Sequence, residues 1–122
     1  MKTRSLSSAL YDQISAALQE VWSLHTSSKW TVDTPAQGQC GVTAVVVQDR
    51  LGGEILKTMT KEGWHYYNRI NDDVYDFTAS QFAGDIAYLH VLSSRTEAFS
   101  DTHQEQYDAL SSRMAELLGR SK

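Results

Sequence analysis

Cysteine and proline are almost missing from this chain, which has one of each in 122 residues. A single cysteine excludes an internal disulfide bond and a zinc site built on cysteines, and it fits a reducing compartment. No apolar run approaches the roughly 20 residues that a membrane span requires. The N-terminal stretch also lacks a signal-peptide core, because Asp12 and Gln13 interrupt its apolar residues. We therefore expect a cytoplasmic protein that makes no membrane contact.

The chain has no excess of basic residues either. The formal net charge is −4, and lysine and arginine are scattered along the sequence, so we expect no nucleic-acid partner. No repeat or linker divides the chain, which predicts one domain over residues 1–122. The histidines have no metal-ligand spacing and no phosphate-binding motif occurs, so we expect neither a metal nor a cofactor. The oligomeric state is left open.

The only cysteine and the only proline lie together, where a polar loop turns into an apolar run between residues 34 and 47. Pro35 stiffens the approach, and Gly38 permits a tight or left-handed turn. Valines then follow at helical spacing, at Val42, Val45 and Val46. This pattern predicts a short helix with one apolar side, from Cys40 to about Leu51, that ends at the glycine pair Gly52-Gly53.

Cys40 would lie in the first turn of that helix. The partial positive charge of a helix N-terminus favours a thiolate over a thiol, and the thiolate is the nucleophile that cysteine chemistry needs. A lone cysteine is also among the most buried residue types. Considered by itself, Cys40 is therefore either a nucleophile or a small structural residue.

Two further helices are predicted at the ends of the chain by apolar residues at three- and four-residue steps. The first runs from Ser5 to about Ser23, and its candidate caps are Ser5, Ser7 and Ser8. The last begins at a cap on Ser100 or Asp101 and runs to about Leu118, where Gly119 stops it.

Three strands with intervening turn residues predict an antiparallel meander. They are Glu54–Met59, Trp64–Ile70 and Val74–Phe77. Thr78 and Gln81 then have the spacing of a capping box for a short helix through about Phe82. The signal from residue 83 to 99 is mixed, and its apolar part at 86–92 is either a strand or a buried segment. The elements together predict an α+β fold.

His65 and Asp76 lie in neighbouring predicted strands. With a two-residue turn at Asn71-Asp72, Asp76 lies opposite Tyr67, and His65 becomes its diagonal neighbour on the same face. A shift of one residue would move Asp76 to the opposite face. A cysteine nucleophile needs a base, and an imidazole base needs an acceptor that fixes its tautomer. Cys40, His65 and Asp76 supply these three roles.

One stretch resembles the G-Q-C-x-V-x-A nucleophile motif of transglutaminases, namely Gly38-Gln39-Cys40-Gly41-Val42-Thr43-Ala44, with Gly41 where that motif has tryptophan. A second resembles the H-x-W…D-x-T strand pair of transglutaminase-like domains, namely His65-Tyr66-Tyr67-Asn68 followed by Asp76-Phe77-Thr78. These domains lie within the papain-like cysteine-protease fold. More narrowly, the chain from about Trp30 to Phe82 resembles the small bacterial YunG-like family. The resemblance implies a cysteine-bearing helix packed on a small antiparallel sheet, flanked by N- and C-terminal helices.

The three roles predict thiol acyl transfer, with amide or thioester hydrolysis, deamidation or transfer as the outcome. The substrate is a peptide, a protein or a small molecule. The alternative is a non-enzymatic protein that retains the fold and binds a peptide or small ligand in its groove. The Cys40 backbone N–H is the default oxyanion donor. Further candidates for oxyanion or substrate contacts are the side chains of Gln39, Gln37, Trp30, Trp64, Tyr66 and Asn68.

Overall fold

A computed structural model of the protein describes residues 7–119. Within these residues the fold is α+β, with four α-helices and a four-stranded antiparallel sheet in the order β3-β2-β1-β4. The helices are α1 (Ser8–Val21), α2 (Cys40–Leu51), α3 (Arg95–Phe99) and α4 (Gln104–Leu118). The strands are β1 (Glu54–Thr60), β2 (Gly63–Ile70), β3 (Asp73–Tyr75) and β4 (Val91–Leu92). None of the described helices is long and apolar enough to cross a membrane.

Helix α2 is the centre of the fold and has the predicted ends. It begins at Cys40, and Gly52 follows its last turn with a φ of 78°. The expectation of one apolar side is wrong, because every residue from Cys40 to Val47 is buried. The helix packs against β1 and β2 and against α3 and α4, so it is enclosed on several sides. Its buried Thr43 hydroxyl accepts a hydrogen bond from the Trp22 indole at 3.0 Å.

The β2–β3 hairpin has the predicted register. Asn71 and Asp72 have φ values of 50° and 76°, the left-handed pair that a two-residue hairpin turn requires. Asn68 consequently pairs with Tyr75. Strand β3 ends at Tyr75, earlier than predicted, so Asp76 lies just beyond the paired residues. Because the β3 pairing reaches only as far back as Asn68, it leaves the first part of β2 uncovered on that side.

The glycine pair between α2 and β1 offers a test of this packing. Gly52 and Gly53 both have positive φ, but a Cβ on Gly53 would lie 2.3 Å from the Arg69 carbonyl oxygen, whereas one on Gly52 meets nothing within 4 Å. Gly52→Ala is expected to cost about 1–3 kcal/mol of unfolding free energy through backbone strain alone. Gly53→Ala should cost at least about 2 kcal/mol more, because it adds a backbone clash. Urea titration measures both values, and equal losses would contradict this account.

The ends of the outer helices partly match the predictions. Ser7, one of the three candidate caps, accepts a hydrogen bond from the Leu10 N–H at 3.1 Å. The predicted start at Ser5 lies outside the described residues. At the other end of the chain, α4 stops before Gly119 as predicted.

The predicted start of α4 is wrong. An additional short helix, α3, occupies the chain just before Ser100 and Asp101, so neither residue caps α4. Helix α4 begins after His103, whose N–H donates to Gln106 Oε1 at 2.9 Å.

The segment after β3 departs most from expectation. The predicted capping box is wrong, because the Thr78 hydroxyl bonds Asp76 and a single 3₁₀ turn, Ala79–Gln81, replaces the helix. Residues 83–90, termed the strap, are mostly exposed, so the alternative of a buried segment is also wrong. Thr58 anchors the strap through its hydroxyl, which donates to the Ala87 carbonyl at 2.7 Å. The strand alternative holds for β4 alone, which pairs with β1 at the edge of the sheet.

Candidate active site

The hairpin brings His65 and Asp76 into direct contact. His65 Nε2 and Asp76 Oδ2 are 2.6 Å apart, and the two side chains are only 2% and 8% exposed. The two-residue turn produces this contact, because it places the two residues as diagonal neighbours on one face of the sheet. A carboxylate on Nε2 leaves Nδ1 as the ring nitrogen that is available for chemistry.

The Asp76 carboxylate is fixed by further donors. Oδ1 accepts hydrogen bonds from the Thr78 N–H at 3.1 Å and from the Thr78 hydroxyl at 3.2 Å. Oδ2 accepts another from the Tyr88 hydroxyl at 2.7 Å. Burial and this hydrogen bond raise the pKa of Tyr88, which keeps its hydroxyl protonated as a donor. The strap thus supplies one of the groups that hold the carboxylate in place.

The His65 ring is enclosed by aromatic residues. Tyr67 lies nearly parallel to it, with ring centroids 5.8 Å apart, and Phe82 meets it edge-on at 4.8 Å. Tyr67 is itself held by His90, whose Nδ1 lies 3.0 Å from the phenol oxygen. These contacts and the bond to Asp76 restrict rotation of the imidazole, so the direction of Nδ1 is set by packing.

Nδ1 of His65 is buried and has no hydrogen-bond partner within residues 7–119. Cys40 and His65 line the same cavity, which has a volume of about 340 Å³. Cys40 is the first residue of α2 and is 8% exposed. A cysteine beside an unpaired ring nitrogen, with an acid on the other nitrogen, is the arrangement that proton transfer from a thiol requires.

The charge of His65 follows from its neighbours. Burial by itself lowers the pKa of His65, because it penalises the imidazolium. The hydrogen bond to Asp76, the charge of Asp76 and the nearby Cys40 sulfur together outweigh this effect, and the pKa of His65 rises to about 9. The ring is therefore an imidazolium at neutral pH.

The cavity extends beyond Cys40 and His65. Gln37, Trp64, Gln81 and Phe82 form part of its walls, and Lys29, Glu62 and Asp101 add charges of both signs. A second cavity of about 480 Å³ adjoins it along the turn between β1 and β2. The two cavities share Thr60, Glu62 and Phe82. Within residues 7–119 no three His, Cys, Asp or Glu side chains are grouped closely enough to hold a metal ion.

The predicted contact residues divide into those inside and those outside the Cys40 cavity. Gln37 and Trp64 line it. Gln39 does not, because it is fully buried and its Oε1 accepts a hydrogen bond from the Thr26 hydroxyl at 2.8 Å. Trp30 packs half-buried against the main apolar core. Both Gln39 and Trp30 therefore lie in the scaffold around the site.

Tyr66 and Asn68 connect β2 to α2. The Asn68 amide donates to the Ala44 carbonyl at 3.0 Å. Tyr66 packs in a buried cluster with Cys40. Burial and the charges of Glu97 and Asp101 raise the pKa of Tyr66 to about 12, so its phenol stays protonated. These contacts fix the distance between the helix that bears the cysteine and the strand that bears the histidine.

Gly41 is required by the packing of α3. A Cβ at this position would lie 2.9 Å from the Ala98 carbonyl oxygen and 3.3 Å from the Asp101 Cβ. This is the position at which the transglutaminase motif has tryptophan, and here the neighbouring helix leaves no room for a side chain. The departure from the motif therefore has a steric cause.

Sequence reasoning did not identify Gln81, Phe82 or Tyr88 as site residues. The spacing of Thr78 and Gln81 predicts a capping box, and Phe82 only ends the predicted short helix. Tyr88 lies in the strap, whose pattern left strand and buried segment open. A search for hydrogen-bonding and aromatic residues just after a predicted catalytic acid would have found Gln81 and Phe82.

Comparison with known proteins finds similarity to one protein family. A family model described as YunG protein matches residues 10–119. Among curated proteins, YunG of Bacillus subtilis strain 168 is 54% identical over 99 residues, which cover 81% of this chain and 86% of that protein. No solved structure matches the chain significantly.

Proposed function

The chain belongs to the YunG protein family, and we propose that it is a cysteine-dependent acyl-transfer enzyme with a papain-like, transglutaminase-like core. One observation carries the proposal. The 2.6 Å contact between His65 Nε2 and Asp76 Oδ2 leaves Nδ1 buried and unpaired in the cavity that Cys40 also lines. An imidazole oriented in this way serves a neighbouring thiol as a base and later serves the leaving group as an acid.

The assignment to a papain-like core rests on the arrangement of elements. A cysteine starts a buried helix and the helix packs on an antiparallel sheet. A histidine on β2 and an acid just after the end of β3 follow in that order. The motif resemblance around Cys40, His65 and Asp76 supports the same assignment. Because one fold serves many functions, the proposed activity rests on the geometry of the site and not on the fold.

The first step of the proposed reaction forms an acyl-enzyme. Cys40 Sγ attacks the carbonyl carbon of the substrate, a C–S bond forms, and the carbonyl π electrons move to the oxygen. When the tetrahedral intermediate collapses, the bond to the leaving nitrogen or sulfur breaks. The imidazolium of His65 gives the Nδ1 proton to the leaving group, and Asp76 holds the ring throughout.

The second step releases the acyl group. Water or an amine attacks the thioester, and His65, now neutral, takes a proton from the attacking group. The C–S bond breaks and returns the thiolate next to the imidazolium. Attack by water gives hydrolysis or deamidation, and attack by an amine gives transfer.

Acylation by p-nitrophenyl acetate tests the proposal. We expect a burst of nitrophenolate that approaches one equivalent per chain, together with one acetyl group on Cys40 in the intact mass spectrum. Near neutral pH, the folded protein should react at least about 10-fold faster than the same chain unfolded in urea, which supplies an ordinary thiol as reference. Cys40→Ser should show neither signal. Acetylation of Cys40 at the rate of the unfolded chain would contradict the proposal.

The second candidate is a binding protein that retains the fold. The adjoining cavities favour it, because together they offer an extended groove along the turn between β1 and β2. This candidate requires no reactive thiol. A folded protein whose Cys40 is no more reactive than in the unfolded chain would therefore contradict the enzyme while remaining consistent with ligand binding in the groove.

A further inference from the structure

We infer that the Gln81 carboxamide is the side-chain donor of the oxyanion hole, where its Nε2 group binds the oxygen that becomes negative when Cys40 attacks a carbonyl. The inference rests on the proposed function and adds a catalytic residue to it. Gln81 lines the same cavity as Cys40 and His65. It also contacts the turn that precedes Cys40.

The orientation of the carboxamide follows from its partner. The Gly38 N–H donates to Gln81 Oε1 at 3.4 Å. A backbone N–H is only a donor, so the oxygen of the amide must face it, and the NH₂ group must face the other way. Gly38 is two residues before Cys40, which places the amide beside the start of α2.

The Nε2 group of Gln81 is buried and has no hydrogen-bond partner within the described part of the chain. Leaving a buried donor unpaired costs about 1–3 kcal/mol, so such groups are rare and call for an explanation. A role in the oxyanion hole explains the unpaired donor, because the donors of an oxyanion hole are fully paired only when the negative charge develops on the substrate oxygen in the transition state.

A second donor is available at the same place. The backbone N–H of Cys40 lies at the first position of α2, where the α-helix provides no intrahelical acceptor. The positive end of the helix dipole adds to its effect on a negative oxygen. Gln39, the neighbouring glutamine, is turned into the core by its bond to Thr26 and does not line the cavity. Three glutamines line the cavity, Gln37, Gln81 and Gln106, and among the described residues Gln81 is the one of these whose amide nitrogen is buried and unpaired.

One short segment would then provide three parts of the site. Asp76 holds the ring of His65, Phe82 packs edge-on against that ring, and Gln81 lies between them in sequence. The 3₁₀ turn Ala79–Gln81 sets the direction of the amide relative to the acid. The loop after β3 thus acts as a unit that positions both the base and the oxyanion donor.

The test compares two reactions of the same sulfur in matched variants. Acylation by p-nitrophenyl acetate passes through an oxyanion, whereas alkylation by iodoacetamide is a displacement that forms none. Gln81→Glu keeps an acceptor for the Gly38 N–H but removes the donor, and Gln81→Met removes both. Gln104→Glu makes the same change of charge at an exposed position on α4, outside both cavities.

We expect both Gln81 variants to lower the acylation rate about 100-fold relative to alkylation, which is the low end of the effect of one oxyanion donor, and Gln104→Glu to leave the ratio unchanged. Acylation that falls in Gln81→Met but persists in Gln81→Glu would overturn the inference, since Gln81 would then only support Gly38. An unchanged ratio in both variants would also overturn it while leaving the acyl-enzyme intact. An unreactive Cys40 in the unsubstituted protein would instead overturn the proposed function and this inference together.

Discussion

Replacing His65 by alanine is expected to slow alkylation of Cys40 by iodoacetamide about 100-fold at pH about 6. The thiolate is the reacting form, and an ordinary thiol with a pKa near 8.5 is only about 0.3% ionised at that pH. In the proposed mechanism the imidazolium of His65 stabilises the attacking thiolate, and the substitution removes this cation. A stabilised thiolate is also less nucleophilic. The difference in alkylation rate is therefore smaller than the difference in ionised fraction, and we expect about 100-fold.

The pH dependence makes this experiment specific. The pKa of His65 is raised to about 9, so the imidazolium persists through neutral pH and disappears above that value. The ratio of the two alkylation rates should therefore be largest at acidic and neutral pH and should approach one above pH about 9, where both sulfurs are thiolates without a cation. Rates come from intact-protein mass spectra, and His25→Ala, at an exposed histidine outside the cavity, is the control. Rates within about 3-fold of each other at pH about 6 would exclude the ion pair.

The second large effect is on stability. The pKa of His65 is raised from 6.5 to about 9, so the folded protein binds a proton that the unfolded chain releases between these values. His65 therefore adds its full contribution to the free energy of unfolding below pH about 6.5. This contribution is lost as the pH rises through about 9. At about 1.4 kcal/mol for each unit of pKa difference, the total loss is about 3 kcal/mol.

Urea titrations of the Cys40→Ser protein, in which the variants below are also made, measure this loss at intervals from pH about 6 to 9.5. Carboxyl groups titrate below that window and lysines above it, and the substitution removes the thiol, whose unfolded-state pKa of about 8.5 lies inside it. The variant His65→Gln should have a nearly flat dependence, because it removes the titrating ring. Asp76→Asn should reduce the slope, because the carboxylate contributes most to raising the pKa of His65. A dependence in His65→Gln combined with Cys40→Ser as steep as in Cys40→Ser alone would assign the effect to another group.

Local chemistry explains which parts of the site could be predicted from the sequence. The asparagine–aspartate turn fixes the hairpin register, and the register alone places Asp76 beside His65. The glycine pair ends α2, and the valine spacing finds its start. In each case residues close in sequence determine the backbone conformation, so a pattern within a short stretch of sequence is sufficient for the prediction.

The remaining parts depend on contacts between distant segments. The strap contains apolar residues that suggest burial, yet Leu89 is 63% exposed, because the segment is held by hydrogen bonds to Thr58 and Tyr67. Such bonds leave no periodic signal. Helix α3 has five residues, too few for a recognisable pattern. The role of Gln81 depends on its contact with Gly38, 43 positions away in sequence.

Detachment of the strap from the sheet is a different event from unfolding of the core. It buries little apolar surface and depends on a few hydrogen bonds, so it can lift from the sheet at a small fraction of the free energy that unfolds the whole chain. Lifting withdraws the Tyr88 hydroxyl from Asp76 and admits water to the face that bears His65. A population of molecules with an intact core can thus contain members whose His65–Asp76 pair is solvated. The fraction of molecules with an enclosed pair is set by this local equilibrium and not by the melting temperature.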